Sequence, residues 1–327
     1  MIGEKLGRYH LIEEIGPGSM GTVYRAEDPS AGRIVAVKLI RSNVLYDAAR
    51  RERFLLALLV ASQIHHPGIC PILEIGDDED DFFIVMPLLQ GETLGEHMKR
   101  KHLPWRYTLE MGIKIGAALG AVHDAGSVHR ALKPSNVWIQ SDGEVVLMDC
   151  GIARFTELDP AGDEASAQPR QEFADTIIPM SALAYMSPEQ VRGGQVDQRS
   201  DIFSLGAILY ELLSDRHPFE ARNSLSRISA ILESNPALLT SKRQSLPTGL
   251  DAVLRKALER DPEKRYHAVP QLISACRVFL EEGRESDAFP GPAVTKSGKH
   301  SPLLRILGFS ALVVLVVTFT LRFLLSK

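Results

Sequence analysis

Cysteine is scarce in this chain: three residues among 327, far apart at Cys70, Cys150 and Cys276. Such an odd and dispersed set argues against a disulfide framework or a zinc site, and it suits a reducing compartment. The formal net charge is −4, and no cluster of Lys and Arg carries interleaved aromatic residues. We therefore expect no nucleic-acid binding. The N-terminus has no basic region followed by an apolar run, so we expect no secretory signal.

One long apolar run is present, at residues 303–325. Its uninterrupted core, Ile306 to Leu321, is bracketed by Arg305 and Arg322. About 20 residues cross a bilayer, so the run is long enough if the flanking arginines extend to the interface. The alternative is a buried core helix, but the run has no polar face and follows a predicted linker at 283–302. We expect a single-pass transmembrane helix.

Basic residues on the two sides of this run indicate its orientation. Lys296, Lys299 and Arg305 precede the core of the run, and they outnumber Arg322 and Lys327 after it. Basic residues concentrate on the cytoplasmic side of a membrane span. We therefore expect the bulk of the chain to lie in the cytoplasm, attached to the cytoplasmic (inner) membrane.

A glycine-rich segment lies near the N-terminus, between strands predicted at residues 9–15 and 22–26. Its spacing, Gly16-x-Gly18-x-x-Gly21, also occurs in dinucleotide-binding turns, where a helix follows the glycines. Here a strand follows instead, which argues against a dinucleotide-binding fold. Two interpretations remain: an ordinary glycine hairpin, or a loop whose backbone N–H groups cover nucleotide phosphates.

The next predicted strand, residues 34–40, is strongly apolar and carries one charged residue, Lys38. Burying a lysine in such a strand is costly unless its ammonium group is paired. Lys38 is therefore either an edge lysine whose side chain extends to solvent, or a buried lysine with a functional partner.

The stretch from residue 128 to residue 149 combines several polar side chains in a compact pattern. It is predicted to form a polar turn, a short strand, a turn at Asp142-Gly143, and a second strand that runs into Asp149. Such a unit can direct Lys133, Asn136 and Asp149 toward one point. A Lys, an Asn and an Asp are the groups that hold Mg²⁺ and the terminal phosphate in protein kinases.

The order and spacing of these motifs resemble those of the eukaryotic-like serine/threonine protein kinases of bacteria, over residues 9–282. The resemblance implies an α+β fold, the bilobal protein-kinase fold. A small antiparallel β lobe would span residues 9–86 and a larger helical lobe residues 87–282, with the nucleotide cleft between them. The predicted linker at 283–302 and transmembrane helix at 303–325 would follow.

The resemblance also implies binding of ATP and Mg²⁺ in that cleft. The implied cofactor-binding residues are Gly16, Gly18, Gly21, Val23, Ala36, Lys38 on the α- and β-phosphates, Met86 as gatekeeper, Leu89 in the hinge, and Trp138. The implied metal ligands are Asn136 and Asp149, and the implied catalytic residue is Lys133, on the γ-phosphate.

Three positions depart from the family pattern. Where the family has the Asp that takes the proton of the substrate hydroxyl, this chain has Ala131. The helix glutamate that pairs with the strand lysine corresponds to Ala57, and the Thr that hydrogen-bonds the missing Asp corresponds to Ala182. Glu52 is the nearest acid, about 140° around a helix from the required face. We therefore expect Lys38 to lack its acid and the binding of ATP and Mg²⁺ to be weakened.

Trp138 is a further departure, since relatives usually have a Leu at this strand position, beneath the adenine ring. Its indole can stack on adenine, or it can fill the pocket. The third interpretation is an ordinary core residue.

Two structural anchors of the family are retained. The activation segment, residues 149–189, ends at Glu189, which we expect to pair with Arg265. We expect Asp201 to cap the catalytic loop from the N-terminus of a helix.

Two functions are compatible with this pattern. The first is a pseudokinase, a membrane-anchored signalling or scaffold module that binds nucleotide and a protein partner but transfers phosphate weakly or not at all. The second is an active serine/threonine kinase that phosphorylates a protein substrate without the base. A missing general base typically costs about 10²–10⁴-fold in rate, and much of phosphoryl transfer depends on positioning and charge neutralisation.

Overall fold

The structure, a computed structural model, describes residues 1–18, 20–41, 45, 48–78, 81–100, 103–152, 180–239 and 246–286. The predicted transmembrane helix at 303–325 and the residues of the activation segment from 153 to 179 lie outside this described part. Within the described part, no helix combines the length and apolar character that a membrane span requires.

The N-terminal lobe is an antiparallel sheet of six strands in the order β1-β2-β3-β4-β6-β5. Its strands are β1 (Lys5–Leu6), β2 (Tyr9–Pro17), β3 (Gly21–Asp28), β4 (Arg33–Ile40), β5 (Glu74–Asp78) and β6 (Asp81–Pro87). Strand β4 lies between β3 and β6, and its residues Val35 to Lys38 are all buried. Lys38 therefore lies on an interior strand, which excludes the interpretation of Lys38 as an edge lysine.

Helix α1 (Ala48–Ser62) packs against this sheet through hydrophobic contacts. Its buried residues, Phe54, Ala57, Leu58 and Ala61, recur at spacings of three and four, which places them on one face. The Phe54 ring meets Phe82 of β6 edge-on, with ring centroids 5.7 Å apart.

The second lobe is mainly helical, and its core surrounds one buried helix. Its helices are α2 (Leu94–Arg100), α3 (Trp105–Asp124), α4 (Met180–Leu183), α5 (Pro188–Val191), α6 (Gln198–Ser214), α7 (Ser224–Glu233), α8 (Leu250–Ala257) and α9 (Val269–Ser286). All residues from Ser200 to Tyr210 of α6 are buried. A Cβ at Gly112 of α3 would lie 2.5 Å from Leu209, so glycine permits the close approach of α3 to α6.

A small sheet of β7 (Gly91–Thr93), β8 (Val137–Gln140) and β9 (Val145–Leu147) lies in the second lobe. Strands β8 and β9 pair antiparallel through the predicted turn at Asp142-Gly143. The predicted turn–strand–turn–strand unit is therefore present.

Both ends of the described domain differ from the sequence prediction. Strand β1 pairs with β2, so the sheet begins at Lys5 and not at residue 9. Helix α9 continues through Ser286, into the segment we expected to be a linker from residue 283. The added residues include Arg284 and Glu285, which favour helix, whereas Gly283 costs only about 1 kcal/mol.

The predicted ion pair between Glu189 and Arg265 is confirmed, and it is buried. Arg265 is 1% exposed and donates to both carboxylate oxygens of Glu189, at 2.6 and 2.7 Å. Burial alone would raise the pKa of Glu189, but the hydrogen bonds and charge of Arg265 outweigh it and lower the pKa. The pair joins the end of the activation segment to the helical core.

We predict that Glu189→Gln lowers the free energy of unfolding by about 3–5 kcal/mol, because it leaves the buried guanidinium of Arg265 without its counter-charge. The control is Glu263→Gln, since the Glu263 side chain is 72% exposed where it pairs with Arg199. That change should cost less than about 1 kcal/mol. Urea unfolding followed by circular dichroism measures both values, and equal losses would contradict the prediction.

The same pair has a predictable pH dependence. A carboxylate with a lowered pKa in the folded state stabilises that state above its ordinary pKa, and the contribution is lost as pH falls. The difference in stability between wild type and Glu189→Gln should therefore narrow as pH drops below the ordinary glutamate pKa of 4.5.

Candidate functional site

The turn that precedes β8 is organised by one buried carboxylate, Asp201, in the first turn of α6. Its Oδ2 accepts hydrogen bonds from the backbone N–H of His129 and from His123 Nε2, both at 2.8 Å. Its Oδ1 accepts from the N–H of Arg130, also at 2.8 Å. Arg130 has a left-handed φ of 67°, which is costly for a non-glycine residue. Asp201 therefore caps this loop, as predicted.

The backbone around Ala131 is held from two further sides. The Ala131 carbonyl accepts a hydrogen bond from Asn136 Nδ2 at 2.9 Å. The Arg130 carbonyl accepts one from Gln190 Nε2 at 2.7 Å. The loop is thus ordered around position 131, but the side chain there is a methyl group with no atom that could accept a proton.

Asn136 and Asp149 lie at the adjacent ends of β8 and β9. The N–H of Met148 donates to the Asn136 carbonyl at 2.9 Å, which fixes the two chain segments side by side. Asn136 is buried and uses its Nδ2 on Ala131, which leaves the amide oxygen as the atom able to coordinate a cation. Asp149 has a left-handed φ of 59°.

Lys38 and Asp149 form an ion pair across the two lobes. Lys38 Nζ lies 2.6 Å from Asp149 Oδ1, and the side chains are 3% and 11% exposed. Lys38 is thereby satisfied in its apolar strand, as a buried ammonium requires.

Helix α1 does not supply an acid to Lys38. Ala57 is 7% exposed and packs in the hydrophobic cluster that contains Phe54 and Leu58, whereas Glu52 is exposed. The absence of an acid at position 57 thus has the expected local effect, but Lys38 is not left unpaired. Asp149, from the other lobe, takes the place of the helix acid.

Lys133 belongs to the same electrostatic group. Burial lowers its pKa, the charge of Asp149 raises it, and the charge of Lys38 lowers it. The structure therefore brings Lys38, Lys133, Asn136 and Asp149 together at the junction of the lobes.

The glycine-rich segment lies over Lys38. A Cβ at Gly18 would lie 3.1 Å from Lys38 Cε, so only a glycine backbone approaches the lysine this closely without displacement. At Gly21 a Cβ would lie 1.7 Å from the Leu39 carbonyl oxygen, so no other residue fits. The segment is flanked by β2 and β3, in agreement with the predicted strand–loop–strand arrangement.

Strand pairing brings most of the implied adenine-binding residues together. Val23 lies opposite Lys38 in the β3–β4 pair, and Ala36 lies opposite Met86 in the β4–β6 pair. Val23, Ala36 and Met86 pack in one hydrophobic cluster. Leu89 follows β6 in the segment that connects the lobes, where Leu88 rather than Leu89 packs against that cluster.

Trp138 lies on β8, paired with Thr93 of β7 and Val146 of β9. Its Nε1 donates to the Gln90 carbonyl at 3.2 Å, in the connection that follows the hinge. The indole is half-buried and does not belong to the hydrophobic clusters of the described residues. These contacts argue against the core interpretation of Trp138.

The chemistry of Asn136 and Asp149 fits Mg²⁺. Both offer oxygen ligands, and Mg²⁺ in nucleotide sites is held by one or two protein carboxylates together with phosphates and water. Among the described residues, no group of three or more His, Cys, Asp or Glu side chains is placed to hold a metal ion. The ion would thus depend on the phosphates for most of its ligands.

A second cleft, about 560 Å³ in volume, opens beside Lys133, and no sequence pattern predicted it. It is lined in part by Ser135, Tyr185, Glu211, His217 and Arg227. The Tyr185 hydroxyl donates to Glu211 at 2.7 Å, and Arg227 is buried. These residues come from separate segments, and no local sequence pattern connects them.

A family model for the protein kinase domain matches residues 9–275 of this chain. The chain is 38% identical over 279 residues to a probable serine/threonine-protein kinase of Streptomyces coelicolor, which covers 83% of this chain and 40% of that protein. It is 32% identical over 303 residues to the serine/threonine-protein kinase PknB of Mycobacterium tuberculosis, covering 91% and 46%. This chain therefore spans less than half the length of these relatives.

Solved structures show the same fold. The kinase domain of Mycobacterium tuberculosis PknI superposes with a TM-score of 0.65 and 24% sequence identity, covering 85% of this chain and 98% of that domain. The predicted arrangement of a β-sheet lobe followed by a helical lobe is confirmed.

We predict that ATP changes the intrinsic fluorescence of this protein through Trp138, because its indole is half-buried on β8, two residues after Asn136, and its Nε1 is bonded to the segment after the hinge. The chain has two tryptophans, and Trp105 lies at the start of α3, where it packs against the helical core. Trp138→Phe should abolish the change and Trp105→Phe should keep it. A response that survives in Trp138→Phe and disappears in Trp105→Phe would contradict this placement.

Proposed function

This chain belongs to the protein kinase family, in the bacterial serine/threonine group, and we propose that it is a membrane-anchored pseudokinase. The family implies ATP and Mg²⁺ as ligands and a protein as substrate. In the proposed function the cleft binds nucleotide, the helical lobe binds a protein partner, and phosphotransfer is lost or weak.

One observation carries this proposal: the catalytic loop is fully ordered around a side chain that cannot act as a base. Asp201, Asn136 and Gln190 hold the backbone from residue 129 to residue 131. The loop has therefore kept its geometry, and what is missing is the carboxylate at Ala131. A loop that is held in place but lacks the functional group suits binding rather than turnover.

The pairing of Lys38 with Asp149 supports the same proposal. In the family, the strand lysine is held by a helix acid while the Asp holds the metal. Here one carboxylate serves Lys38 and is also the proposed metal ligand. Productive positioning of the phosphates is therefore weakened, and orientation is among the largest contributions to catalysis.

An active kinase is the second candidate function. It is favoured by the joint presence of Lys38, Lys133, Asn136 and Asp149 at one point of the cleft. Because these groups position and neutralise the phosphates, some transfer without a base is chemically feasible.

The cleft beside Lys133 is the proposed site of the protein partner. It lies next to the catalytic loop and is bounded by α2, α4 and α6, and it holds both acidic and basic side chains. A peptide segment of a partner could lie there without reaching a catalytic base.

We predict that Ala131→Asp alone restores little phosphotransfer, because the new Asp lacks a Thr at position 182 and Lys38 still lacks a helix acid. Combining Ala57→Glu, Ala131→Asp and Ala182→Thr should give far more activity than the single changes together suggest, since groups that act as one unit are non-additive. Radiolabel transfer from ATP to a generic peptide, and to the protein itself, measures each variant.

Lys38→Met serves as the blank for this series. Transfer by the wild-type chain well above the blank would overturn the pseudokinase proposal and establish the active kinase. Strong activity of Ala131→Asp by itself would show that the acid at position 57 is dispensable.

We propose that residues 303–325 anchor the chain in the cytoplasmic membrane, with the kinase domain in the cytoplasm, because their apolar core is unbroken and has basic flanks. The full-length chain should be found in the membrane fraction, and a chain ending at residue 302 in the soluble fraction. The matched control is Val314→Lys with Val317→Lys, since each central lysine costs about 2.5–3.5 kcal/mol of insertion free energy. Recovery of the full-length chain in the soluble fraction, without detergent, would contradict the proposal.

A further inference from the structure

The charges around the phosphate site are unbalanced in favour of cations. Lys38 and Lys133 are positive, and among the residues that the structure describes Asp149 is the carboxylate that acts on both. The family pattern has two further carboxylates, at the positions of Ala57 and Ala131 in this chain. The loss of two negative charges changes the local charge by the same amount as the addition of one Mg²⁺ ion.

These charges lie where solvent screens them poorly. Lys38 is 3% exposed, the Asp149 side chain is 11% exposed, and burial lowers the pKa of Lys133. Charges in such surroundings interact more strongly than at the surface and are less sensitive to salt. The alanine substitutions therefore have a large effect on the potential that a bound phosphate experiences.

We propose that the cleft of this chain binds ATP with an affinity that does not depend on Mg²⁺. The inference rests on the proposed nucleotide-binding function and specifies the ionic form of the ligand. The described part of the site holds two cations and one anion, Lys38, Lys133 and Asp149, so it attracts the metal-free nucleotide. With acids also at positions 57 and 131 it would carry a net negative charge and would repel that nucleotide unless a divalent ion accompanied it.

The Lys38–Asp149 ion pair is a second reason to expect ATP binding that does not depend on Mg²⁺. An ammonium group has three N–H donors, so Lys38 can bond Asp149 and a phosphate oxygen at the same time. A Mg²⁺ ion at Asp149 Oδ1 would compete with Lys38, whose Nζ lies 2.6 Å from that oxygen. Helix α1 offers Lys38 no other carboxylate, because Ala57 stands at that position. The favourable free energy of Mg²⁺ binding at Asp149 is therefore offset by the weakening of the Lys38–Asp149 ion pair.

The test is calorimetric titration of the full-length chain, in detergent micelles, with ATP in excess EDTA and with ATP in excess MgCl₂. The two dissociation constants should agree within about threefold, which is less than 1 kcal/mol. Lys38→Met should weaken binding in both buffers, because it removes one of the two cations.

Matched variants isolate the effect of charge. Ala131→Asp should weaken ATP binding in EDTA by about tenfold or more while binding in Mg²⁺ changes little, and Ala131→Asn should behave as wild type in both buffers. Ala57→Glu and Ala57→Gln form a second pair. Position 131 is half-buried and position 57 is buried. If a longer side chain at position 57 prevents folding, the comparison of Ala131→Asp with Ala131→Asn still tests the effect of charge.

The outcomes separate this inference from the function on which it rests. ATP binding by the wild type in Mg²⁺ but not in EDTA overturns the inference and leaves a nucleotide-binding module. Absence of binding in both buffers overturns the nucleotide-binding function and the inference with it. A folded Ala131→Asp chain that still binds equally in both buffers overturns the explanation by charge.

Discussion

The carboxylate of Asp201 is the constraint on which the candidate site depends. It lies in the most buried stretch of α6 and accepts hydrogen bonds from the backbone of His129 and Arg130 and from the His123 ring. These bonds hold Arg130 in its left-handed conformation, and so they set the path of the chain through position 131. Because hydrogen bonds from the backbone to Asp201 fix this path, it does not depend on the side chain at position 131. That independence explains how an alanine can stand there in an otherwise ordered loop.

The Lys38–Asp149 ion pair is the second organising contact, and it connects the sheet lobe to the helical lobe. A buried lysine on an interior strand needs a negative partner. Where the helix position that could provide one is alanine, the carboxylate that pairs with Lys38 in the described part of the chain is Asp149, just after β9. The loss of one acid has therefore shifted an interaction within the first lobe into an interaction between lobes. The same carboxylate is the proposed metal ligand, which couples the missing acid to the handling of metal and nucleotide.

Local sequence patterns predicted the elements of the fold well and their long-range contacts less well. The glycine spacing, the apolar strand around Lys38 and the turn at Asp142-Gly143 each reflect short-range geometry, and the structure contains all three. The partner of Lys38 lies 111 residues away, and its choice depends on how the two lobes meet. The hydrogen bond from Trp138 to Gln90 and the cleft of Glu211, His217 and Arg227 likewise join separate segments, so no periodicity reveals them.

Helix α1 is held by the fit of its side chains, through Phe54, Ala57 and Leu58, and its polar link to β5 is the exposed pair of Arg51 and Asp77. Exposed ion pairs of this kind contribute little to the free energy of folding. An acid at position 57 would form an ion pair with the strand lysine, so the position of the helix would depend on the occupancy of the cleft. Ala57 cannot form that ion pair, so this coupling between α1 and Lys38 is absent. A nucleotide that binds Lys38 also perturbs the ion pair with Asp149. The effect of an occupied cleft is therefore passed to the helical lobe and not to α1.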